Sequence, residues 1–214
     1  MSDTDKDRKP VAYRVETERL VLRCWSPKDA LALRQALDDS DQHLRPWIPF
    51  MKFEPRTLEQ TVDWVRSLRA NFDTDELYRY GVFSREDGSL LGENMLLPRV
   101  GPGGLEVGYW THVNNSGRGY ATEASSAMIR VAFEIAGMER VEIHCAPGNA
   151  ASAAIPARLG FGHEATLKNR HPDTEGGIQD LMIWTLFAED YPGSPARNLP
   201  ICAYNCLGEE IIRA

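Results

Sequence analysis

Sulfur, positive charge and long apolar runs are all scarce in this chain, and each scarcity removes a class of function. Four cysteines occur in 214 residues, Cys24, Cys145, Cys202 and Cys206, and none forms a Cys-x-x-Cys pair. Thiols so few and so spaced do not read as a disulfide framework. No metal site is expected either: His144 and Cys145 are adjacent, so on a strand they face opposite ways, and Cys145 reads as a small core residue. Lysine and arginine total 24 against 31 aspartates and glutamates, a formal net charge of −7. A nucleic-acid binder normally shows a basic face, so no nucleic-acid partner is expected. The acidic balance fits plain solubility and also leaves room for a cationic or amine-bearing ligand. No apolar run approaches the roughly 18 residues of a membrane span. Residues 1–10 are polar and of mixed charge, without an apolar signal-peptide core, so a disordered tail and a cytoplasmic location are expected.

What is present is a globular composition, 43% hydrophobic and 26% charged, in a chain long enough for one sizeable domain. Residues 14–25 carry the apolar run Leu20-Val21-Leu22 and read as a strand. Ser26-Pro27-Lys28-Asp29 reads as a helix start, and Thr57-Leu58-Glu59-Gln60 as a capping box opening a second helix. Strands are predicted over 78–84, 90–100 and 105–113, separated by glycine turns, as an antiparallel meander. Helical spacing follows at Ala124, Met128, Val131 and Ile135, closed by Gly137. A strand at 140–146, a short helix at 150–159 and strands at 161–168 and 178–186 complete the order. The class is therefore α/β of the α+β type: a mixed, mostly antiparallel sheet of about seven strands with helices on both faces. Residues 11–190 make the domain, and 191–214, with three prolines, an extension packed on its surface.

The segment that carries chemistry is Val107-Gly108-Tyr109-Trp110-Thr111-His112-Val113-Asn114-Asn115-Ser116-Gly117-Arg118-Gly119-Tyr120-Ala121-Thr122-Glu123-Ala124. A strand runs into a Gly-x-Gly turn with a helix directly behind it. The two glycines permit a tight turn and close approach of a ligand. The free amides of the first helical turn, with the helix dipole, make an anion site that suits a pyrophosphate. A dinucleotide-binding Rossmann turn needs a third glycine where Thr122 stands, and a parallel opening; a P-loop needs Gly-Lys-Ser/Thr. Both are excluded.

Gly117-Arg118-Gly119-Tyr120-Ala121-Thr122-Glu123-Ala124, following Leu105-Glu106-Val107-Gly108-Tyr109-Trp110, resembles the acyl-CoA motif of the GNAT N-acetyltransferases. It is most similar to the RimJ/RimL branch, which acetylates ribosomal protein N-termini. The resemblance includes Glu16-Thr17-Glu18-Arg19-Leu20-Val21-Leu22-Arg23, Leu44-Arg45-Pro46-Trp47-Ile48-Pro49, Asn149-Ala150-Ala151-Ser152 and Arg158-Leu159-Gly160-Phe161-Gly162, and so spans about residues 14–187. Asn114 stands where the family pattern has Gln or Arg; backbone amides do most of the phosphate binding, so CoA binding is expected to survive.

The resemblance implies the GNAT fold and transfer of an acyl group, expected to be acetyl and alternatively succinyl, from acyl-CoA directly to an amine. The acceptor is a protein N-terminus, a lysine or a small molecule such as an antibiotic. It implies that Trp110, Thr111, His112 and Val113 border the pantetheine, and that Ser116, Gly117, Arg118, Gly119, Tyr120, Ala121 and Thr122 hold the pyrophosphate. Ser152 matches the family's proposed acid for the leaving thiolate, with a helix-start hydroxyl as the competing role. Asn149 either contacts CoA or caps the same helix. The branch carries a glutamate where this chain has His171; a histidine suits a base near neutral pH. Glu106 and Glu93 are the other candidate bases, and either Glu93 or Asn94 is expected to face inward from a leucine-rich strand. Trp47, Phe50 and Phe53, with Asn94, are candidates for the acceptor site. Two other readings stay open: a non-catalytic acyl-CoA-binding regulatory module, and a homodimer that exchanges its C-terminal tail.

Overall fold

The helix starts read from the sequence are built as capping boxes. Ser26 Oγ accepts from the Lys28 amide and Asp29 Oδ2 accepts from the Ser26 amide, opening a short 3-10 turn ahead of the first α-helix. Thr57 and Gln60 exchange the same pair at 3.2 and 2.9 Å. The computed structural model describes residues 11–173 and 176–213, so the tail expected at 1–10 lies outside the described residues. In chain order the elements are β1 (Arg14–Glu16), β2 (Leu20–Cys24), α1 (Ala30–Asp39), α2 (Asp41–Leu44), α3 (Leu58–Asp73), β3 (Tyr78–Ser84), β4 (Leu90–Leu97), β5 (Gly104–Thr111), α4 (Tyr120–Arg130), β6 (Arg140–Cys145), α5 (Ala150–Arg158), β7 (Gly162–Pro172), β8 (Ile178–Phe187), β9 (Cys202–Tyr204) and β10 (Glu210–Arg213). No helix among the described residues is long and apolar enough to cross a membrane.

One sheet of ten strands runs in the order β10-β9-β1-β2-β3-β4-β5-β6-β8-β7. The class is as expected, but the sheet is longer than seven strands for two reasons. The segment read as one strand over 14–25 turns back at Thr17, whose amide donates to Leu20 O at 3.0 Å, and becomes the hairpin β1–β2. The segment 191–214 does more than lie on the surface: β9 pairs with β1, and β10 with β9. Its prolines carry the chain past α4 while Tyr191, Ala196, Ile201 and Ala203 are buried. Tyr191 stacks on Phe133 with ring centroids 4.6 Å apart, and Arg130 donates to Leu199 O at 2.6 Å. An otherwise open apolar edge at Val15 is thereby covered.

The two faces hold separate cores. On one, α4 sets Ala124, Ala127 and Met128 against Leu22, Val82, Leu96, Val107 and Ile143. On the other, α1 and α3 set Leu33, Leu37, Val65 and Leu68 against Trp25, Phe83, Leu90 and Trp110. A bulge in β4 decides which polar residue faces which core. The register against β3 slips between Val82 and Phe83, and at Gly92 a Cβ would lie 2.2 Å from Trp110 O. One extra residue inverts the alternation, so Glu93 turns to the α1/α3 face and Asn94 to α4. Both are buried, rather than one of the two.

Candidate active site

The pairing of β5 with its neighbours creates the site. Its β4 side is paired from Glu106 to Thr111. Its β6 side is paired, in parallel, only from Gly104 to Glu106, although both strands continue. From Val107 to Thr111 the backbone therefore has an open edge, and β5 and β6 diverge. A cavity of about 1160 Å³ fills the divergence and reaches both faces of the sheet. That exceeds the usual range for one small ligand, about 300–1,000 Å³.

On the α4/α5 face the cavity is lined by Tyr109, Thr111, Ser116, Gly117, Gly119, Tyr120, Ala121, Thr122, Asn149 and Ser152. Gly117 and Gly119 take φ of +76° and +82°, which turns the chain so that α4 opens toward this space. The first-turn amides of α4 have no partner inside the helix and, with the dipole, favour an anion there. The loop is tied down from outside. Glu123 accepts from Thr17 Oγ1 at 2.5 Å and Arg19 Nε at 2.7 Å, and Arg19 also donates to Arg118 O at 3.2 Å. These are residues of the upstream Glu-Thr-Glu-Arg motif, so that motif acts by clamping the loop to the β1–β2 turn.

Three expected cofactor contacts are not brought to the cavity. The His112 amide donates to Leu91 O at 2.8 Å and its ring caps the Asn114 amide. The Val113 amide is taken by Ser40 Oγ at 3.0 Å. Arg118 offers only its carbonyl, to Arg19, and its side chain does not line the space. The strand ends at Thr111, and the two residues after it are spent on fixing the turn.

At the divergence, Asn149 caps α5 by accepting from the Ser152 amide at 3.1 Å, so both of its expected roles are compatible with its place on the wall. Pro156 leaves the start of α5 at Ala150, but it has no amide to give Ser152 O. The Tyr109 hydroxyl fills that position at 3.0 Å and lies 3.1 Å from Ser152 Oγ. Burial raises the Tyr109 pKa, so its hydroxyl stays protonated at neutral pH. Tyr109 was not singled out from the sequence; the signal was Pro156 four residues after Ser152, which leaves one carbonyl open. Burial also pushes the Cys145 thiol up, which makes it a neutral wall residue here.

On the α1/α3 face the cavity is bounded by Trp47, Phe50, Met95, Gly108 and Trp110, and across from them by Glu106, His144, His171, Pro172 and Leu181. Phe53 is exposed and lies outside it. His171 sits on β7 opposite Gln179 rather than in a solvated loop. Burial, then the charge of Arg99, lowers its pKa, with Glu106 opposing, so it is neutral near pH 7. Glu106 is buried and held by both arms of Arg99 at 2.7 and 2.6 Å. His144 stands beside it, Nδ1 3.4 Å from Glu106 Oε2 and Nε2 2.7 Å from Glu142 Oε2.

Glu93 and Asn94 are corrections to the expected site. Glu93 accepts from Trp25 Nε1 at 2.7 Å, Trp110 Nε1 at 2.9 Å and Arg79 Nε at 2.8 Å, and pairs with Arg79 Nη2. Four donors occupy its lone pairs, and it does not line the large cavity. Asn94 donates to Ser125 Oγ at 3.1 Å on the α4 side, away from the aromatic lobe.

The chain matches the family described as "Acetyltransferase (GNAT) domain" over residues 19–162. It is 30% identical over 184 residues to "Putative ribosomal N-acetyltransferase YdaF" of Bacillus subtilis (strain 168), covering 82% of this chain and 95% of that protein. Among solved structures it is similar to a "putative ribosomal-protein-serine acetyltransferase from Vibrio cholerae", at 25% identity and TM-score 0.69 over 83% of this chain and 99% of that one. Mycobacterium smegmatis RimJ in complex with CoA-disulfide shares the fold at TM-score 0.74 and 23% identity, over 88% of this chain and 92% of that one.

Proposed function

The chain belongs to the GNAT acetyltransferases, and from that membership we propose that it transfers an acetyl group from acetyl-CoA to the α-amino group of a ribosomal-protein N-terminus. The observation that carries this reading is the gap between β5 and β6. It joins an anion-binding loop on one face to a wide aromatic lobe with a neutral histidine on the other. The residues present suit CoA: the free amides at 119–122 face its pyrophosphate, and the open β5 edge at 107–111 is a strand-like partner for the amides of the pantetheine. Bound there, acetyl-CoA supplies the activated acyl carbon at the gap.

The rest is done by the chain. An incoming peptide end enters between Trp47, Phe50 and the β7–β8 side. His171 accepts a proton from the attacking nitrogen as the new amide bond forms. A backbone amide of the open β5 edge stabilises the negative charge that develops on the thioester oxygen. Ser152, held by Tyr109, donates a proton to the departing thiolate and recovers it from solvent. Acetyl is favoured over an acidic acyl such as succinyl because Arg79 and Arg99, which line the cavity on the α1/α3 side, are already paired with buried carboxylates. The neutral His171 in the wall favours turnover over a non-catalytic binding module.

Release of free CoA by the purified protein tests the reading. Acetyl-CoA with ribosomal-protein N-terminal peptides is expected to give release that α-amine-blocked peptides abolish. Equal release from blocked, lysine-containing peptides or aminoglycosides refutes the assigned acceptor, and no release with any amine refutes the transfer.

A further inference from the structure

An amine arriving as an ammonium ion must lose two protons: one before attack, and one from nitrogen after it. One leaves to solvent and the other balances the proton given to the CoA thiolate. The reading above uses His171 for one of them. We propose that His144, oriented by Glu142, is the second proton acceptor and strips the incoming ammonium of its first proton. This inference rests on the acyltransfer reading and adds a residue that the motifs did not mark.

The geometry sets the ring's tautomer. Glu142 Oε2 lies 2.7 Å from Nε2, and an ionised carboxylate only accepts, so Nε2 carries a proton. Nδ1 is 3.4 Å from Glu106 Oε2, too long for a good hydrogen bond. Nδ1 thus makes no good hydrogen bond, and His144 lines the cavity wall beside that buried carboxylate. A carboxylate behind a histidine, fixing one nitrogen as donor and presenting the other as base, is the arrangement by which proteins hold a proton acceptor ready. Glu142 is itself bonded by Arg140 Nε at 2.8 Å, which keeps it in place. The charged and titratable groups that face His144 are Glu106 with its Arg99, Glu142 with its Arg140, and His171 from β7; β8 presents the apolar Ile183 opposite it. Glu106 and Glu142 together also attract an ammonium to this part of the wall, and His144, itself part-exposed, passes the proton it takes to solvent.

The test is the pH dependence of kcat/KM for His144→Gln with an N-terminal peptide acceptor. Glutamine still reaches Glu142 but takes up no proton, so the variant uses only acceptor that arrives neutral. An α-amine of pKa about 8 is about 3% neutral at pH 6.5 and about 90% neutral at pH 9, so the ratio of wild type to variant should fall about thirtyfold across that range. The KM for acetyl-CoA should not change. A loss of the same size at every pH, or no loss, overturns the proposal. Glu142→Gln is the second variant, for the case that His144→Gln does not fold: it should show the same slope with smaller amplitude, and a flat ratio again overturns the proposal. Failure of the wild type to release CoA with any amine sinks the acyltransfer reading itself, whereas wild-type turnover with flat ratios sinks only the role of His144.

Discussion

Glu93→Gln probes the polar knot beneath the aromatic lobe. The side chain is 1% exposed and its Arg79 partner 10%. Glutamine keeps the shape, but it offers one acceptor oxygen to four donors and turns an N–H group toward them. It also removes the charge opposite a buried guanidinium. Removing one partner of a buried ion pair costs about 3–5 kcal/mol. An indole N–H left without an acceptor costs about 1–3 kcal/mol more in isolation, but these donors share one network and their costs do not add. The expected loss is therefore about 3–5 kcal/mol, which in a chain of this size lowers Tm by roughly 6–20 °C. Urea unfolding should show a lower midpoint with an unchanged slope. Arg79 also lies over Phe50 and Trp64, 5.4 and 5.2 Å from their ring centroids, so the acceptor KM should rise while acetyl-CoA affinity holds. Glu93→Leu combined with Arg79→Met should recover at least half of the loss of Glu93→Leu alone, because no charge is then left unpaired. A destabilisation by Glu93→Gln of less than about 1 kcal/mol, the scale of one ordinary hydrogen bond, would refute the account of this network.

His171→Ala should lower kcat/KM by about 10²–10⁴-fold, the usual worth of a positioned base. Because burial and Arg99 depress its pKa, the neutral form persists to lower pH than for a free histidine. With an acceptor whose amine is already neutral at about pH 6, wild-type activity should then fall only as pH drops below about 6.5, and an acid limb above that value contradicts the assignment. Tyr109→Phe keeps the ring but releases Ser152 O and Oγ, so single-turnover acyl transfer should slow about tenfold or more while calorimetry shows unchanged acetyl-CoA binding. Gly119→Ala forces a Cβ onto a φ of +82° at the head of α4, at a cost of about 1 kcal/mol or more, and should weaken acetyl-CoA binding before it affects acceptor KM. Deleting residues 199–214 strips β9 from β1 and bares Val15; the product should bind a hydrophobic dye and sediment as aggregate, and a monomer of wild-type Tm would refute a core role for the tail.

What could be read from the sequence divides along a physical line. The helix starts at Ser26 and Thr57, the Gly-x-Gly turn and the first turns of α4 are local signals, written in residues three or four apart, and the structure carries them out; past Arg130 the α-helical spacing gives way to a π turn over Val131–Ile135, so Val131 and Ile135 do not continue the predicted α-helical stripe. Three things depended on distant partners. The tail's strands have only three and four residues, and nothing local says that Val15 lacks a neighbour on its free edge. Of Glu93 and Asn94 one was expected to face inward, and both are buried, because adjacent strand residues point to opposite faces and helices cover both faces of the sheet. The strand after Trp110 was read two residues too long because the amide bonds of His112 and Val113 go to Leu91 and Ser40, from other elements. The same distinction explains the candidate bases. A titratable residue's chemistry is set by what packs on it. His171 reads as a loop residue until β8 pairs with it, and Glu106 as a free carboxylate until Arg99 closes on it. His144 has no motif at all; its role follows from Glu142, two residues away on the same face of β6, and from the parting of β5 and β6 that opens this wall to the cavity.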